Sequence, residues 1–302
     1  MITLVTGENS YAVRQAKKRL STDFSGEAEA LDGTSLTGEM LADLTMGVSL
    51  FATERLVFVR AISEQKSLWN ELDTWLNRVG DETHLVLLEP KPDKRTKSYK
   101  WLLKHAAVIN CNQLNDRELI SWMIDDARIQ NIDLTQSLAR QLLERVGPEQ
   151  WELASAIQKL TLSAKPITEQ LVHELIDANP QATAFELLDA VMAKDSKRTI
   201  KLLQDVRQTE DAYKCMGLLA SQLYTLAGCV YGGSRTSQTI AKDLGVHPYV
   251  ATQMQRVSQQ LNMVHVERMS SILHMADVQM KTSGGDPWMI LELALTQMSA
   301  RT

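Results

Sequence analysis

The first third of the chain alternates short apolar runs with amphipathic segments. The runs are rich in β-prone residues, and in the segments between them apolar positions recur three and four residues apart. The pattern predicts strands at residues 2–5, 28–31, 56–59, 85–88 and 108–111, and helices at 11–20, 37–46, 66–79 and 98–105. Strands that alternate with helices form a parallel sheet covered by helices on its faces. We therefore predict an α/β domain with a five-stranded parallel sheet.

After Leu114 the strand pattern stops and helical periodicity continues. Asp116 and Thr135 are the predicted N-caps of two helices, and residues 149–162 and 168–178 predict two more. Residues 179–183 are small and polar around Pro180, which we interpret as the stop of the preceding helix and the start of a linker. Seven further helices are predicted between residues 185 and 298. These boundaries divide the chain into an α/β domain at 1–114, a small helical domain at 115–180 and a helical bundle at 181–302.

Composition and charge narrow the class of protein. The 302 residues carry a net charge of -5, with 11 acidic and 6 basic residues in the segment 115–180 alone. This balance argues against a free-standing nucleic-acid binder, which is usually strongly basic. The three cysteines have no paired spacing, and no histidines complete a zinc site, so we expect no metal. Without a signal-peptide pattern or a long apolar run, we expect a soluble, cytoplasmic protein with no membrane partner.

The most informative segment joins the helix after Thr37 to the strand at 56–59. Its sequence, MGVSLFATER, places Leu50 and Phe51 in a short connector after Gly47, where large apolar side chains are difficult to bury. Two interpretations remain open at this point. The pair folds back onto its own core, or it stays exposed and docks into another protein, where burial of each side chain contributes about 1.5 to 3 kcal/mol.

The first strand is followed by a segment in the position of a phosphate-binding loop. A working loop needs a second glycine, a lysine and a hydroxyl after the first glycine. Here Gly7 is followed by Ala12, Val13 and Arg14 in those positions. Glu89 ends the strand at 85–88 without a lysine or hydroxyl partner. We therefore predict a nucleotide-binding fold without its chemistry, with no catalytic residue and no cofactor, although a nucleotide hydrolase with an aberrant loop remains an alternative.

Two further segments have more than one interpretation. Lys94, Arg95, Lys97 and Lys100 belong to a basic run that either meets phosphates or an acidic partner or is simply solvated. Residues 236–259 have the spacing of a helix-turn-helix, whose second helix would offer Tyr249, Gln253 and Arg256 to DNA bases. The alternative function is therefore that of a DNA-binding protein.

Taken together, these segments make the whole chain resemble the delta subunit family of the bacterial DNA polymerase III clamp loader. The resemblance is distributed over motifs that keep their order: LVTGENSYAVRQA, VSLFATERLVFV, KPDKRTKSYKWL, EQWELASAIQKLTL, FELLDAVMAKD, IAKDLGVHPYVATQM and HMADVQMKTSGGDPWMILELAL. It implies a degenerate AAA-type domain, a small helical lid domain and a helical collar that holds a ring of subunits together.

The resemblance also implies the function and the residues that perform it. It implies a subunit that does not hydrolyse ATP but binds and opens the sliding clamp through Leu50 and Phe51, with Met46 and Ser49 as neighbours. The implied partners are the clamp, the ATPase and delta-prime subunits of the loader, which meet the collar, and primer-template DNA within the complex. The resemblance therefore favours docking over burial for Leu50 and Phe51.

Overall fold

The computed structural model of the chain describes residues 1–22, 24–26, 28–46, 54–163, 166–259 and 261–299. The chain separates into two compact units, Met1–Gln113 and Leu114–Thr302.

The first unit alternates strands and helices. Its strands are β1 (Ile2–Thr6), β2 (Glu29–Asp32), β3 (Arg55–Arg60), β4 (Thr83–Glu89) and β5 (Ala107–Asn110). Its helices are α1 (Ser10–Thr22), α2 (Gly38–Met46), α3 (Lys66–Leu76) and α4 (Lys97–His105), and a 3₁₀ turn covers Ile62–Glu64. All five predicted strands are confirmed to within two residues at each end. The central strands β1, β3 and β4 are buried runs of β-prone side chains, whereas β2 and β5, at the two edges of the sheet, are largely exposed.

The five strands form one parallel sheet in the order β2-β3-β4-β1-β5. The fold class predicted for this part of the chain is therefore confirmed. The register places Thr6 at the end of β1 beside Glu89 at the end of β4. The strand order reverses between β1 and β4, and the carboxyl ends of strands at such a point are where open α/β sheets commonly bind ligands.

Both faces of the sheet are buried. Leu85 and Leu87 of β4 lie in one apolar cluster with side chains of α2, α3 and α4, whereas Val86 and Leu88 lie in a second cluster with Ala16 of α1. Successive residues of a strand point to opposite faces, so a strand covered on both sides needs a continuous apolar run. This is why β4 reads as a continuous apolar run rather than an alternating sequence.

The second unit consists of helices. They are α5 (Asp116–Ile129), α6 (Gln136–Val146), α7 (Gln150–Thr161), α8 (Glu169–Leu175), α9 (Pro180–Met192), α10 (Ser196–Thr209), α11 (Ala212–Gly232), α12 (Ser237–Leu244), α13 (Pro248–Ser258), α14 (Met263–Thr282) and α15 (Pro287–Ser299). One apolar cluster is built from α5 to α8, and another from α9 to α15. The division of these helices into a lid domain and a collar domain stays a prediction.

The cap of α5 differs from the prediction. Asn115, not Asp116, is the N-cap: its side chain accepts hydrogen bonds from the N–H groups of Arg117 and Glu118, and Oε2 of Glu118 accepts one from the N–H of Asn115. This reciprocal arrangement satisfies two backbone donors at once, so it defines the helix start one residue earlier than expected. Thr135, the predicted cap of α6, is confirmed.

The predicted linker at residues 179–183 is wrong. Pro180 does not stop a helix there but begins α9, and the N–H of Thr183 donates to the carbonyl oxygen of Asn179 across 3.0 Å. Proline suits the first turn of a helix because its missing N–H would have no helical partner there. Asn179 is also bonded to its own unit, since its N–H donates to the carbonyl of Arg145 and its Nδ2 to the carboxylate of Glu152.

Candidate functional site

The connector between α2 and β3 carries the residues expected to dock. The helix ends at Met46 and the strand begins at Arg55. Ser49, Leu50 and Phe51 lie outside the described residues, and of Met46 only the backbone is described. Their role as a docking element therefore stays a prediction, which the structure constrains through the two flanks.

The helix before the connector, α2, is anchored by an N-cap at its start and by buried side chains along its apolar face. The predicted cap Thr37 is confirmed, because its hydroxyl accepts a hydrogen bond of 3.2 Å from the N–H of Met40. Leu41 and Leu44 are almost fully buried in the cluster beneath the sheet. The apolar face of α2 is therefore already buried in the core of the domain where the helix ends at Met46.

The strand flank is anchored by Arg55. Its guanidinium donates two hydrogen bonds of 3.0 Å to the carboxylate of Glu29 on β2, and its backbone N–H donates one of 2.8 Å to the carbonyl of Glu82. The paired carboxylate raises the pKa of Arg55, as expected for a two-point contact of opposite charges. After Arg55 the residues Leu56 to Val59 are buried. The helix before the connector and the strand after it are therefore both held firmly in the domain.

The segment in the position of a phosphate-binding loop is short, and the side chain of Asn9 fills the place where a phosphate would bind. Only residues 7–9 separate β1 from α1. Gly7 has a φ of 122°, and a Cβ atom there would lie 2.2 Å from the carbonyl oxygen of Cys111, so only glycine fits. The Oδ1 atom of Asn9 accepts a hydrogen bond of 3.0 Å from the N–H of Ala12. A helix N-terminus that would attract an anion is capped here by Asn9.

The other loop residues are used for packing. Ala12 and Val13 are half-buried against the cluster that contains Val5 and Phe58, and Arg14 is exposed. Val13 therefore stands where a phosphate-binding loop has its lysine, with an apolar side chain turned to the sheet. At this position the segment therefore offers a phosphate no positive charge.

Glu89 is the buried carboxyl group at the reversal point of the sheet. Its side chain is only 1% exposed; Oε2 accepts a hydrogen bond of 3.3 Å from the N–H of Ser63, and Oε1 has no partner among the described residues. Burial raises the pKa of Glu89 to about 7, although the Ser63 hydrogen bond acts in the opposite direction. The carboxyl group is therefore partly protonated near neutral pH.

The basic run is partly committed to contacts within the first unit. Arg95 donates to the carboxylate of Asp93, with a closest approach of 2.9 Å, and Nζ of Lys97 lies 2.7 Å from the buried carboxylate of Asp73. Lys94 and Lys100 make no ion pair within the described part of the chain. Of the four residues proposed to contact DNA or a partner, these two are the ones left for an external phosphate.

The helix-turn-helix geometry is present, and part of its reading face packs against helices of the same unit. Gly245 adopts the left-handed conformation between α12 and α13. Tyr249 packs against the cluster of α5 to α8, where burial raises its pKa, and the Arg256 guanidinium lies 3.8 Å from the carboxylate of Asp116. Two of the three side chains expected to read bases thus face neighbouring helices of their own unit. The hypothesis of a DNA-reading helix thus loses support at Tyr249, whereas Gln253 is half-buried and Arg256 is 65% exposed, so the hypothesis stays a prediction.

Sequence reasoning missed a set of exposed apolar side chains on the last long helices. Each is more than half exposed: Tyr224, Tyr231, Val264, Met275, Met289 and Leu293. The sequence contains a signal for them: α11, α14 and α15 carry apolar residues on more than one face. A helix that packs on one side only has a single apolar stripe. Single exposed apolar side chains are ordinary, whereas a contiguous patch of them marks an interaction surface.

The described residues hold neither a candidate metal site nor a candidate membrane span. They contain no group of histidine, cysteine, aspartate and glutamate side chains suited to hold a metal ion. They also contain no helix whose length and hydropathy would let it span a bilayer.

Comparison with known families gives two matches within this chain. Residues 4–112 match the family described as DNA polymerase III, delta subunit, and residues 181–298 match the DNA polymerase III delta subunit, C-terminal domain. Together the matches cover most of the chain, and each lies within one of the parts predicted from the sequence.

Individual relatives agree with the family matches. The chain is 25% identical over 241 residues to the DNA polymerase III subunit delta of Bacillus subtilis, which covers 76% of this chain and 69% of the relative. The solved structure of the Bacillus subtilis DNA clamp loader delta protein superposes with a TM-score of 0.83 at 20% identity, and covers 99% of this chain and 95% of that one. This superposition shows that the two chains share a fold.

Proposed function

Because the chain belongs to the family of DNA polymerase III delta subunits, we propose that it binds a sliding clamp and opens it for loading onto primed DNA. The observation that carries this proposal is the position of Leu50 and Phe51 in the connector between α2 and β3. The apolar side chains of α2 and of β3 on either side of the connector are already buried in their own domain. Met46 and Ser49 complete the proposed docking element.

The energetics of such a contact are sufficient for the function. Full burial of two large apolar side chains in a pocket of the clamp contributes about 3 to 6 kcal/mol. A contact made only with the open form of the clamp would shift its opening equilibrium by roughly two to four powers of ten. The anchored flanks support this mechanism. Thr37 caps α2 and Arg55 fixes the start of β3, so a force on Leu50 and Phe51 would be transmitted to the domain.

The subunit acts mechanically rather than as a nucleotide hydrolase. Asn9 caps α1, Val13 packs where a lysine would be needed, and Gly7 is pressed against the backbone of Cys111. These contacts support a chain that does not hydrolyse ATP by itself and requires no cofactor. Hydrolysis in the complex is then left to other subunits.

The partners follow from the two remaining surfaces. The exposed apolar side chains of α11, α14 and α15 support contact with the ATPase and delta-prime subunits of a loader through the last helices. Lys94 and Lys100 support contact with the phosphates of primer-template DNA inside the complex. Arg95 and Lys97 are weaker candidates, because binding to DNA would have to displace Asp93 and Asp73.

Binding to an immobilised sliding clamp tests the proposal. We expect the full chain to bind, and the double variant Leu50→Ala, Phe51→Ala to lose at least a hundredfold in affinity. The matched control is Leu103→Ala, which removes a half-exposed leucine from α4 in the same unit. Circular dichroism and reconstitution with the other loader subunits show that the variants fold and assemble.

The outcome that contradicts the proposal is equally specific. If the double variant binds the clamp as tightly as the wild-type chain does, Leu50 and Phe51 are not the docking element. If it fails to assemble with the loader, the pair belongs to the core of its own domain. Loss of clamp affinity in Leu103→Ala as well would indicate a general loss of structure.

A further inference from the structure

The second unit contains a cavity of about 480 Å³ that has no role in the proposed function. It lies between the turn after α6, residues 147–149, the helices α9 and α11, and the turn before α13, residues 245–247. Its volume is within the range of sites that bind small molecules or single side chains. The cavity is built entirely from the second unit and is independent of the connector before β3.

One wall of the cavity holds a buried acceptor without a partner. Gln222 on α11 lines the cavity and is 8% exposed, and its Oε1 atom accepts no hydrogen bond from any described residue. Buried polar atoms in folded proteins are nearly always paired, because an unpaired one loses its hydration without compensation. The Gln222 amide oxygen is therefore open to a donor from outside the described residues.

Another wall holds a buried donor without a partner. The Nδ1 atom of His247 accepts a hydrogen bond of 3.1 Å from the N–H of Tyr249, as the N-cap of α13. Since a backbone N–H can only donate, the ring proton of the neutral imidazole must be on Nε2. Burial lowers the pKa of His247 to about 4, so the ring is neutral at pH 7. The Nε2–H group is buried and donates to no described atom.

The charge around the cavity selects the ligand further. Carboxylates of Glu144, Glu149, Glu186 and Asp189 line it, and among the described residues that line it Arg198 is the one cation. The Arg198 guanidinium already contacts Asp189 at 3.1 Å, which leaves the other three carboxylates to determine the local charge. Such a surface attracts a cation and repels an anion.

We propose that this cavity binds an organic cation that also carries a carbonyl oxygen, the chemistry of an arginine or lysine residue. The N–H groups of the cation donate to Gln222 Oε1 and to the carboxylates, and its carbonyl oxygen accepts from His247 Nε2. Guanidinium groups suit a site with several acceptors, because they present five donors in a fixed plane. This recognition explains the unpaired acceptor, the unpaired donor and the acidic surroundings together.

The test uses Nα-acetyl-L-arginine amide as the probe and the full chain as the protein, with binding followed by isothermal titration calorimetry. We expect saturable binding that weakens about tenfold in Gln222→Met, which keeps the volume of the side chain, and about tenfold in His247→Asn, which keeps an N-cap acceptor but loses the Nε2 donor. The matched control Glu267→Gln removes an exposed carboxylate from α14 and leaves the affinity unchanged. Spermidine, a cation without an acceptor, binds at least tenfold more weakly than the probe.

Each other result overturns the inference. Absence of saturable binding means that the cavity holds water alone. Affinity that survives both Gln222→Met and His247→Asn means that neither unpaired atom recognises the ligand, and equal affinity for spermidine means that the carboxylates act by charge only. If Gln222→Met does not fold, the comparison of His247→Asn with the wild-type chain decides.

Discussion

The backbone N–H of Asn9 donates a hydrogen bond of 2.9 Å to the carbonyl oxygen of Cys111, which ties the start of α1 to the residue that follows β5. The Asn9 side chain bonds in two further directions, through Nδ2 to the carbonyl of Asn112 and through Oδ1 to the N–H of Ala12. In a nucleotide-binding loop this position is open to phosphate. Here one side chain supplies, from within the chain, the acceptor that a phosphate would supply.

Substitution of Asn9 tests this arrangement. Asn9→Ala should lower the free energy of unfolding by about 1 kcal/mol, because an N–H at the start of α1 loses its acceptor. Asn9→Ser, which keeps an N-cap acceptor and adds no charge to this buried site, should lose less. Urea unfolding followed by circular dichroism measures both. Neither variant should bind ATP in equilibrium dialysis, since the lysine and hydroxyl of a working loop are still missing; ATP binding by either would reinstate the nucleotide-hydrolase alternative.

Glu89 should make stability depend on pH. The folded chain holds the Glu89 proton up to about pH 7, whereas the unfolded chain releases it near the ordinary value of 4.5. Between these values the folded state binds more protons, so stability falls as pH rises. Glu89→Gln removes the carboxyl group and should gain in stability relative to wild type across this interval, by about 3 kcal/mol at pH 8.

Guanidinium unfolding at pH 5 and pH 8 measures this gain. Glu71→Gln is the matched control, because Glu71 is exposed on α3 of the same unit. Its difference from wild type should not change with pH. If the advantage of Glu89→Gln is the same at both values, the Glu89 carboxyl group is not held in its protonated form by the fold.

The sheet could be predicted from the sequence because each strand is a local pattern. The run Leu85 to Leu88 has no polar interruption, and only a strand buried on both faces requires this. The burial of Glu89, one residue further along, could not be read in the same way. It depends on the 3₁₀ turn at Ile62–Glu64, which lies far away in sequence and covers the carboxyl group through Ser63.

The errors have a common physical origin. From their immediate neighbours alone, Pro180 predicts a helix stop and Tyr249 predicts a base-reading side chain. Pro180 instead begins α9, and the Tyr249 ring packs on helices that lie about a hundred residues earlier in the chain. Local sequence identifies the elements, but it does not show which face of a helix the rest of the chain covers. For that reason the sequence of α13 does not show that the Tyr249 ring is packed within its own unit.

Removal of the unpaired Gln222 amide should stabilise the ligand-free protein. Gln222→Met keeps the side-chain volume and removes a buried acceptor that no described residue satisfies, so we expect a gain of about 1 kcal/mol in the free energy of unfolding. Thermal and urea unfolding measure it, with the exposed Gln279→Met as control. A loss of stability would indicate that the amide is already satisfied, for instance by bound water.

Met275 and Met289 should mark the surface that meets other loader subunits. Both side chains are 70% exposed, on α14 and α15 respectively. Neither contributes to the core of its own unit. A methionine in this situation costs the free chain little to replace, while its burial against a partner would contribute to assembly.

The double variant Met275→Glu, Met289→Glu should therefore weaken assembly by roughly a hundredfold or more, because two carboxylates would be buried without partners in the interface. The free chain should keep its stability to within about 0.5 kcal/mol, as expected for exposed positions. Analytical ultracentrifugation of the reconstituted subunits measures assembly. Gln204→Glu with Gln208→Glu adds the same two charges to α10, which has no exposed large apolar side chain among its described residues, and should assemble normally. Equal assembly by both double variants would show that the apolar surface of α14 and α15 is not the subunit interface, whereas equal loss would show that added negative charge alone prevents assembly.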